Sequence, residues 1–170
     1  MRLSSSLIGG LGGAVTLTLL QELLKRTDPN APRLDLLGKQ ATSKLLKRTK
    51  KKLSDQQLYN ASLAGDILFN TLYYSLSGIK TKKAAATGGL LGTGMGLAAI
   101  MLPKLLDLNA GFTGSSAKSK YMTMGLYLAG GLVAAGVAWL CDKRQDARHT
   151  FSHNGHHQPV ADRPILDITV

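Results

Sequence analysis

Asp66 is the residue of this chain whose type and setting most invite chemistry. It stands near the middle of an apolar stretch, Leu58 to Ile79, where an ionised carboxylate is costly unless it is protonated, paired or wet. At about 100° per residue, Tyr59, Ser62, Asp66, Asn70, Tyr73 and Ser77 fall within about 40° of one meridian of an ideal helix. That stripe could hold a proton or a cation on Asp66, with Asn70 and the tyrosines as further donors and acceptors. The plainer reading makes Asp66 a neutral acid or a hydrogen-bonded clasp between helices, or sets it shallow in the bilayer.

Basic residues form the second chemical feature. Lys44, Lys47, Arg48, Lys50, Lys51 and Lys52 crowd one short segment, and basic residues next to an anionic leaflet attract lipid headgroups. The alternative use of such a run is as a topology signal with no dedicated ligand. Nucleic acid is not an expected partner, because residues 33–57 contain no aromatic side chain to stack on a base. Glu22 is expected to pair with Lys25 or Arg26 at the end of the first apolar segment.

Other chemistries find little support. His149, His153, His156 and His157 lie close together, but they fall in a segment read as a poorly ordered tail, which makes a poor dedicated site, so no metal or cofactor is expected. The segment Gly111 to Ser119 superficially resembles a phosphate loop, yet the glycine needed before Lys118 is Ala117. A single cysteine, Cys141, excludes an intramolecular disulfide. Without a nucleophile elbow, a metalloprotease motif or a carboxylate pair at glycosidase spacing, the chain is expected not to be an enzyme.

The elements that must position these residues read as membrane helices. Leu3 to Gln21, Ala84 to Pro103 and Tyr121 to Cys141 carry no charge, and each is close to the roughly 20 residues needed to cross a bilayer. The mean hydropathy of +0.03 hides them by averaging apolar blocks with a basic connector and a polar tail. With 58–79 as a further span, the expected fold is an all-α membrane bundle of four transmembrane helices, at about 4–24, 58–79, 84–105 and 121–141. The connector, residues 33–57, has Leu34, Leu37, Ala41 and Leu45 at helical spacing and reads as an interfacial amphipathic helix on the headgroups. A break is expected at Thr27-Asp28-Pro29-Asn30-Ala31-Pro32. Residues 144–170 read as a poorly ordered polar tail. Gln21-Glu22-Leu23-Leu24-Lys25 offers no small-x-small cleavage site, so the first segment is expected to be retained as a span.

Small residues recur at four-residue spacing: Ser5, Gly9 and Gly13 in the first span, Ala84, Gly88, Gly92 and Gly96 in the third, Gly130, Ala134 and Ala138 in the last. Such rows let backbones approach closely in lipid. Packing within the bundle is the first expectation; an interface with a second copy or another membrane protein is the sharper one. Tyr121 and Trp139 sit near opposite ends of the last span, as interfacial aromatic anchors do.

Pro29-Asn30-Ala31-Pro32-Arg33-Leu34-Asp35-Leu36-Leu37-Gly38 after a glycine-rich span, with Ala64-Gly65-Asp66 and Leu72-Tyr73-Tyr74-Ser75 further on, resembles a group of small four-span bacterial inner-membrane proteins of unknown function. The likeness covers roughly residues 5–140; it implies four spans in a bacterial inner membrane and no catalytic residues. Counting lysine and arginine, residues 25–57 and 104–120 outweigh the other side. The basic connector is therefore expected in the cytoplasm with both termini outside, although the lysines of 80–83 pull the other way. The functional expectation is a tightly packed, non-enzymatic membrane protein that engages anionic lipid or a partner protein through its connector. The alternative is a small proton- or cation-coupled transporter or channel using Asp66.

Overall fold

The computed structural model describes residues 3–47, 53–79 and 83–154, with side chains as far as Arg144 in the last segment. The chain is all-α, and no strand occurs among the described residues. Its elements are α1 (Leu3–Thr27), α2 (Leu34–Lys47), α3 (Asp55–Ser75) with a 3-10 turn at Leu76–Ile79, α4 (Ala84–Leu105), the single turn α5 (Gly111–Gly114), and α6 (Ala117–Asn154).

Local chemistry sets the boundaries. The Asp28 carboxylate accepts from the Asn30 N–H at 2.8 Å, and this Asx turn, with Pro29 at its centre and Pro32 just beyond, ends α1. A capping box starts α3: the Ser54 hydroxyl accepts from the Gln57 N–H at 3.3 Å and the Gln57 side chain accepts from the Ser54 N–H at 3.0 Å. The helix therefore begins at Asp55, a turn ahead of the expected start at Leu58, because these polar caps satisfy its first backbone donors. At the other extreme α6 continues to Asn154, into the segment expected as a polar tail.

Three helices, Leu3–Thr27, Ala84–Leu105 and Ala117–Arg144, are long and apolar enough to cross a membrane. α3, expected as a further span, is not among them by length and composition. Asp55, Gln56, Gln57, Asn60, Asp66 and Asn70 dilute the apolar character of α3.

α6 is the spine. α1 and α4 pack along it, α3 lies chiefly against α1, and α2 lies on α3. The packing reverses the pattern of a water-soluble bundle. α1 buries Ser5, Ser6, Gly9, Gly10, Gly13 and Gln21 while Ile8, Leu11, Leu19 and Leu23 face outward. α4 buries Gly88, Gly92 and Gly96 while Leu90, Leu97 and Met101 face outward. Where lipid rather than water surrounds a helix, apolar side chains need not be hidden, and small residues go to the interfaces so that backbones can close up.

The contacts show how close they come. A Cβ on Gly9 would lie 2.6 Å from the Ala134 carbonyl oxygen, and one on Gly92 would lie 2.6 Å from the Tyr127 carbonyl oxygen. Gly13 faces Gly130 and Ala134, Gly88 faces Gly131 and Ala135, and Gly96 faces Met124. Gly130 also abuts the Tyr74 ring.

Candidate functional site

The polar side chains of α1, α2 and α3 converge on a small chamber of about 40 Å³, room for a few water molecules at most. Tyr59, Ser62 and Asp66 reach it from α3, Gln21, Glu22 and Lys25 from α1, and Asp35 from α2. α2 can come this near because its Gly38 has no side chain; a Cβ there would meet the Ser62 hydroxyl at 2.6 Å.

Lys25 joins two walls of the chamber. Its ammonium donates to Glu22 at 2.8 Å and to Asp35 at 3.2 Å, tying the end of α1 to the start of α2. Glu22 also accepts from Arg26 at 3.3 Å. Burial pushes the Asp35 carboxyl up, but the hydrogen bond and charge of Lys25, with help from Arg33, outweigh it and hold Asp35 below the usual carboxylate range.

Asp66 has a different partner. One of its oxygens accepts from the Asn70 amide at 3.0 Å, an i,i+4 bond along α3. Asn70 is itself buried, and its own carbonyl oxygen has no hydrogen-bond partner among the described residues.

Beyond Asn70 the stripe changes character. The Tyr73 hydroxyl donates to the Leu91 carbonyl at 3.1 Å and ties α3 to α4. The Tyr74 hydroxyl donates to the Tyr127 carbonyl at 2.8 Å and ties α3 to α6. Ser77 bonds back to the Tyr74 carbonyl at 2.7 Å. Tyr59, Ser62 and Asp66 thus share the chamber, whereas Tyr73 serves an interhelix seam.

A second polar region caps the same end of the bundle. The Arg33 N–H donates to the Phe112 carbonyl at 2.6 Å, Gln40 accepts from the Asn109 N–H at 2.8 Å, and Lys44 donates to the Leu106 carbonyl at 2.6 Å. These bonds strap α2 to the segment between α4 and α6. Lys44 also pairs with Asp107 at 3.5 Å, Lys39 with Asp55 at 3.0 Å, and Lys118 with Asp28. The hydrogen bond from Lys118, supported by the Asn30 N–H, holds Asp28 below the usual carboxylate range.

Similarity to known proteins assigns no role to either region. No family model, curated protein or solved structure matches the chain. The site is defined by its own geometry.

Of the basic residues singled out from the sequence, Lys44 is engaged as a strap and Lys47 is exposed. Arg48, Lys50, Lys51 and Lys52 lie outside the described residues. Of the stripe expected to lie on the headgroups, Leu34 is buried inside the fold, whereas Leu45 is exposed.

Sequence reasoning missed Gln21, Lys25 and Asp35 as neighbours of Asp66. A signal was present for two of them. The row Ser5, Gly9, Gly13, continued by four, passes through Leu17, Gln21 and Lys25. Tyr74 was likewise overlooked beside Tyr73, although it lies four residues beyond Asn70, one turn along the buried face.

Proposed function

We propose that this chain is a non-enzymatic, four-span integral membrane protein whose basic end engages the anionic headgroups of the leaflet it meets. The supporting observation is an asymmetry. The outer faces of the long helices are apolar, while Arg26, Arg33, Lys39, Lys44, Lys47, Lys104, Lys118 and Lys120 gather where α1 and α4 end and α3 and α6 begin; five of them pair with Glu22, Asp28, Asp35, Asp55 and Asp107, and Lys47, Lys104 and Lys120 take part in no ion pair among the described residues.

α3 is the fourth span on this reading. It turns Leu68, Phe69 and Leu72 outward and Ser62, Asn70 and Tyr74 inward, the same inverted pattern as its neighbours. α2 then rests at the interface as an amphipathic helix, anchored from within by its straps rather than by lipid alone. The setting is a bacterial inner membrane, with the basic end cytoplasmic and both termini outside. The glycine rows are taken up by packing within the chain, so a second copy or a membrane-protein partner would use the outer apolar faces.

The test is thermal unfolding of the full-length protein in nanodiscs of phosphatidylcholine with and without phosphatidylglycerol. A ligand that binds the folded state stabilises it, and each basic residue near an anionic surface contributes about 1 kcal/mol. Phosphatidylglycerol should raise the Tm. Replacing Lys47, Arg48, Lys50, Lys51 and Lys52 by Gln should reduce the rise. Equal Tm in both bilayers would rule the reading out.

One observation favours a second reading, a small proton- or cation-coupled transporter. Asp66 faces a chamber shared with Glu22, Lys25 and Asp35, and intramembrane carboxylates mark ion and proton pathways. In liposomes Asp66→Asn should then abolish proton or monovalent-cation flux. Absence of flux from the wild-type protein would remove this reading and leave Asp66 as a clasp to Asn70.

A further inference from the structure

A cleft of about 310 Å³ opens between the end of α4 and the start of α6, with α5 as its floor. Ile100, Met101 and Leu105 form an apolar wall, and two lysines, Lys104 and Lys120, stand at the same opening. Both lysines are exposed, and neither takes part in an ion pair among the described residues.

Their position along the helices matters. Lys104 lies in the last turn of one candidate span, Ala84–Leu105, and Lys120 in the first turn of another, Ala117–Arg144. On the membrane reading, two cations therefore sit at headgroup depth, beside an apolar surface that continues along the candidate spans. Met101 and Leu105 on that surface are 61% and 78% exposed, so the wall is open to an acyl chain.

The cleft is held in shape by bonds beneath it. The Thr113 hydroxyl donates to the Ala99 carbonyl at 2.7 Å, pinning α5 to α4, and the Thr123 hydroxyl of α6 is shared between the Thr113 carbonyl at 3.0 Å and the Ser119 carbonyl of its own helix at 2.9 Å. Gly114 keeps the mouth clear: a Cβ there would already lie 3.5 Å from the Lys120 side chain and 3.7 Å from that of Ile100, so any longer side chain would occupy the space between them.

We propose that this cleft is a binding site for a single anionic phospholipid, its phosphate between Lys104 and Lys120 and an acyl chain along Ile100, Met101 and Leu105. The inference rests on the membrane reading above but names a site apart from α2 and the run at 47–52. Charge complementarity selects the headgroup, because paired lysines without acidic partners are satisfied by a phosphate. The apolar wall selects a lipid over a free phosphate, which would leave Met101 and Leu105 without a contact.

The experiment places a reporter on the wall. Leu105→Trp in a Trp139→Phe background gives one tryptophan, read in nanodiscs containing brominated phosphatidylglycerol or brominated phosphatidylcholine at equal mole fraction. Bromine quenches only at short range. Quenching should be stronger with phosphatidylglycerol, reflecting about fivefold local enrichment per lysine. Lys104→Gln with Lys120→Gln should abolish the preference, Gly114→Leu should abolish it by filling the cleft, and Lys44→Gln with Lys47→Gln should leave it in place.

The failures are distinguishable. A preference that survives Lys104→Gln with Lys120→Gln overturns the site while leaving a generally basic end in an anionic leaflet. Equal quenching by the two lipids overturns the site and places Leu105 in unselective lipid. No quenching by either lipid overturns the membrane placement of this face, and the site with it.

Discussion

The Tyr74 hydroxyl donates to the Tyr127 backbone carbonyl at 2.8 Å, from a ring with no exposed surface. Tyr74 enters from α3 where α1 and α6 are in close contact, with Gly13 and Gly130 both against its ring. The aromatic ring fills the space that these glycines leave open. Tyr74→Phe removes the hydrogen bond but keeps the ring, and the Tyr127 carbonyl remains within the α6 ladder. The expected loss is about 1 kcal/mol. Tyr74→Ala empties the site and should cost about 3–5 kcal/mol. Unfolding in mixed micelles followed by circular dichroism distinguishes them; equal losses would mean that the ring itself contributes nothing.

Glycines on the two sides of α6 and α4 should respond in opposite directions to the same methyl group. At Gly88 a Cβ would come within 2.7 Å of the Ala135 Cβ and closer still to the Gly131 carbonyl oxygen. Gly88→Ala therefore has to push α4 from α6, at about 1–3 kcal/mol. At Gly125 and Gly136 an added Cβ meets nothing within 4 Å. Alanine there should be neutral or stabilise by up to about 1 kcal/mol through helix propensity. Thermal unfolding of the three variants in one detergent checks the contrast, and a Gly88→Ala protein as stable as the wild type would contradict the close approach.

Why some of this was legible in the sequence follows from the physics of each element. The three apolar spans were legible because uninterrupted uncharged length is a one-dimensional property, as Leu3 to Gln21 shows. α3 was harder. Its inward polar residues lower its average, and only its outward Leu68, Phe69 and Leu72 reveal the inverted pattern once the fold says which side is out. The chamber around Asp66 was legible by half. Ser62 and Asp66 share a helix, so spacing alone aligns them; Asp35 reaches the chamber only through the turn at 28–33 and the missing side chain of Gly38, which no periodicity in α3 encodes. The straps from α2 to Leu106, Asn109 and Phe112 join residues far apart in the chain, and their donors and acceptors are mostly backbone, which carries no residue signal.

Acid should loosen the capped end before the rest of the bundle. Asp28 and Asp35 are both held below the usual carboxylate range, Asp28 chiefly by the Lys118 hydrogen bond, Asp35 by Lys25 and Arg33 against the opposing effect of its burial. A carboxyl with a lowered folded-state pKa binds its proton more readily once unfolded. Its stabilisation is thus complete above the unfolded value, near ~3.9 for Asp, and is lost as pH falls through the lower folded value. Stability should therefore be flat from neutrality to about pH 5 and decline below about pH 4. Asp35→Asn should lower stability at neutral pH and flatten the acid decline, since Lys25 then keeps only Glu22. Hydrogen exchange at Arg33, whose N–H bonds to Phe112, reports this end directly; an acid decline unchanged in Asp28→Asn with Asp35→Asn would assign it to other groups.

Asp107 carries a positive φ of 48°, a left-handed conformation that closes α4, with the Leu108 N–H returning to the Pro103 carbonyl at 2.7 Å. Glycine adopts this conformation most readily, and Asp or Asn next. Asp107 sits beside Lys44, but both side chains are largely in solvent, 93% and 51% exposed, so the ion pair adds little. Asp107→Gly should accordingly leave stability within about 1 kcal/mol of the wild type, the relief at φ offsetting the greater freedom of the unfolded chain. Asp107→Val should cost about 1–2 kcal/mol, because a β-branched residue resists that φ. The cost has a spatial consequence. This residue aims the segment that carries Phe112 to α2 and Gly114 to the cleft, so Asp107→Val should weaken the protection of the Arg33 N–H along with overall stability. A valine variant with unaltered stability and protection would show that the turn does not depend on residue 107.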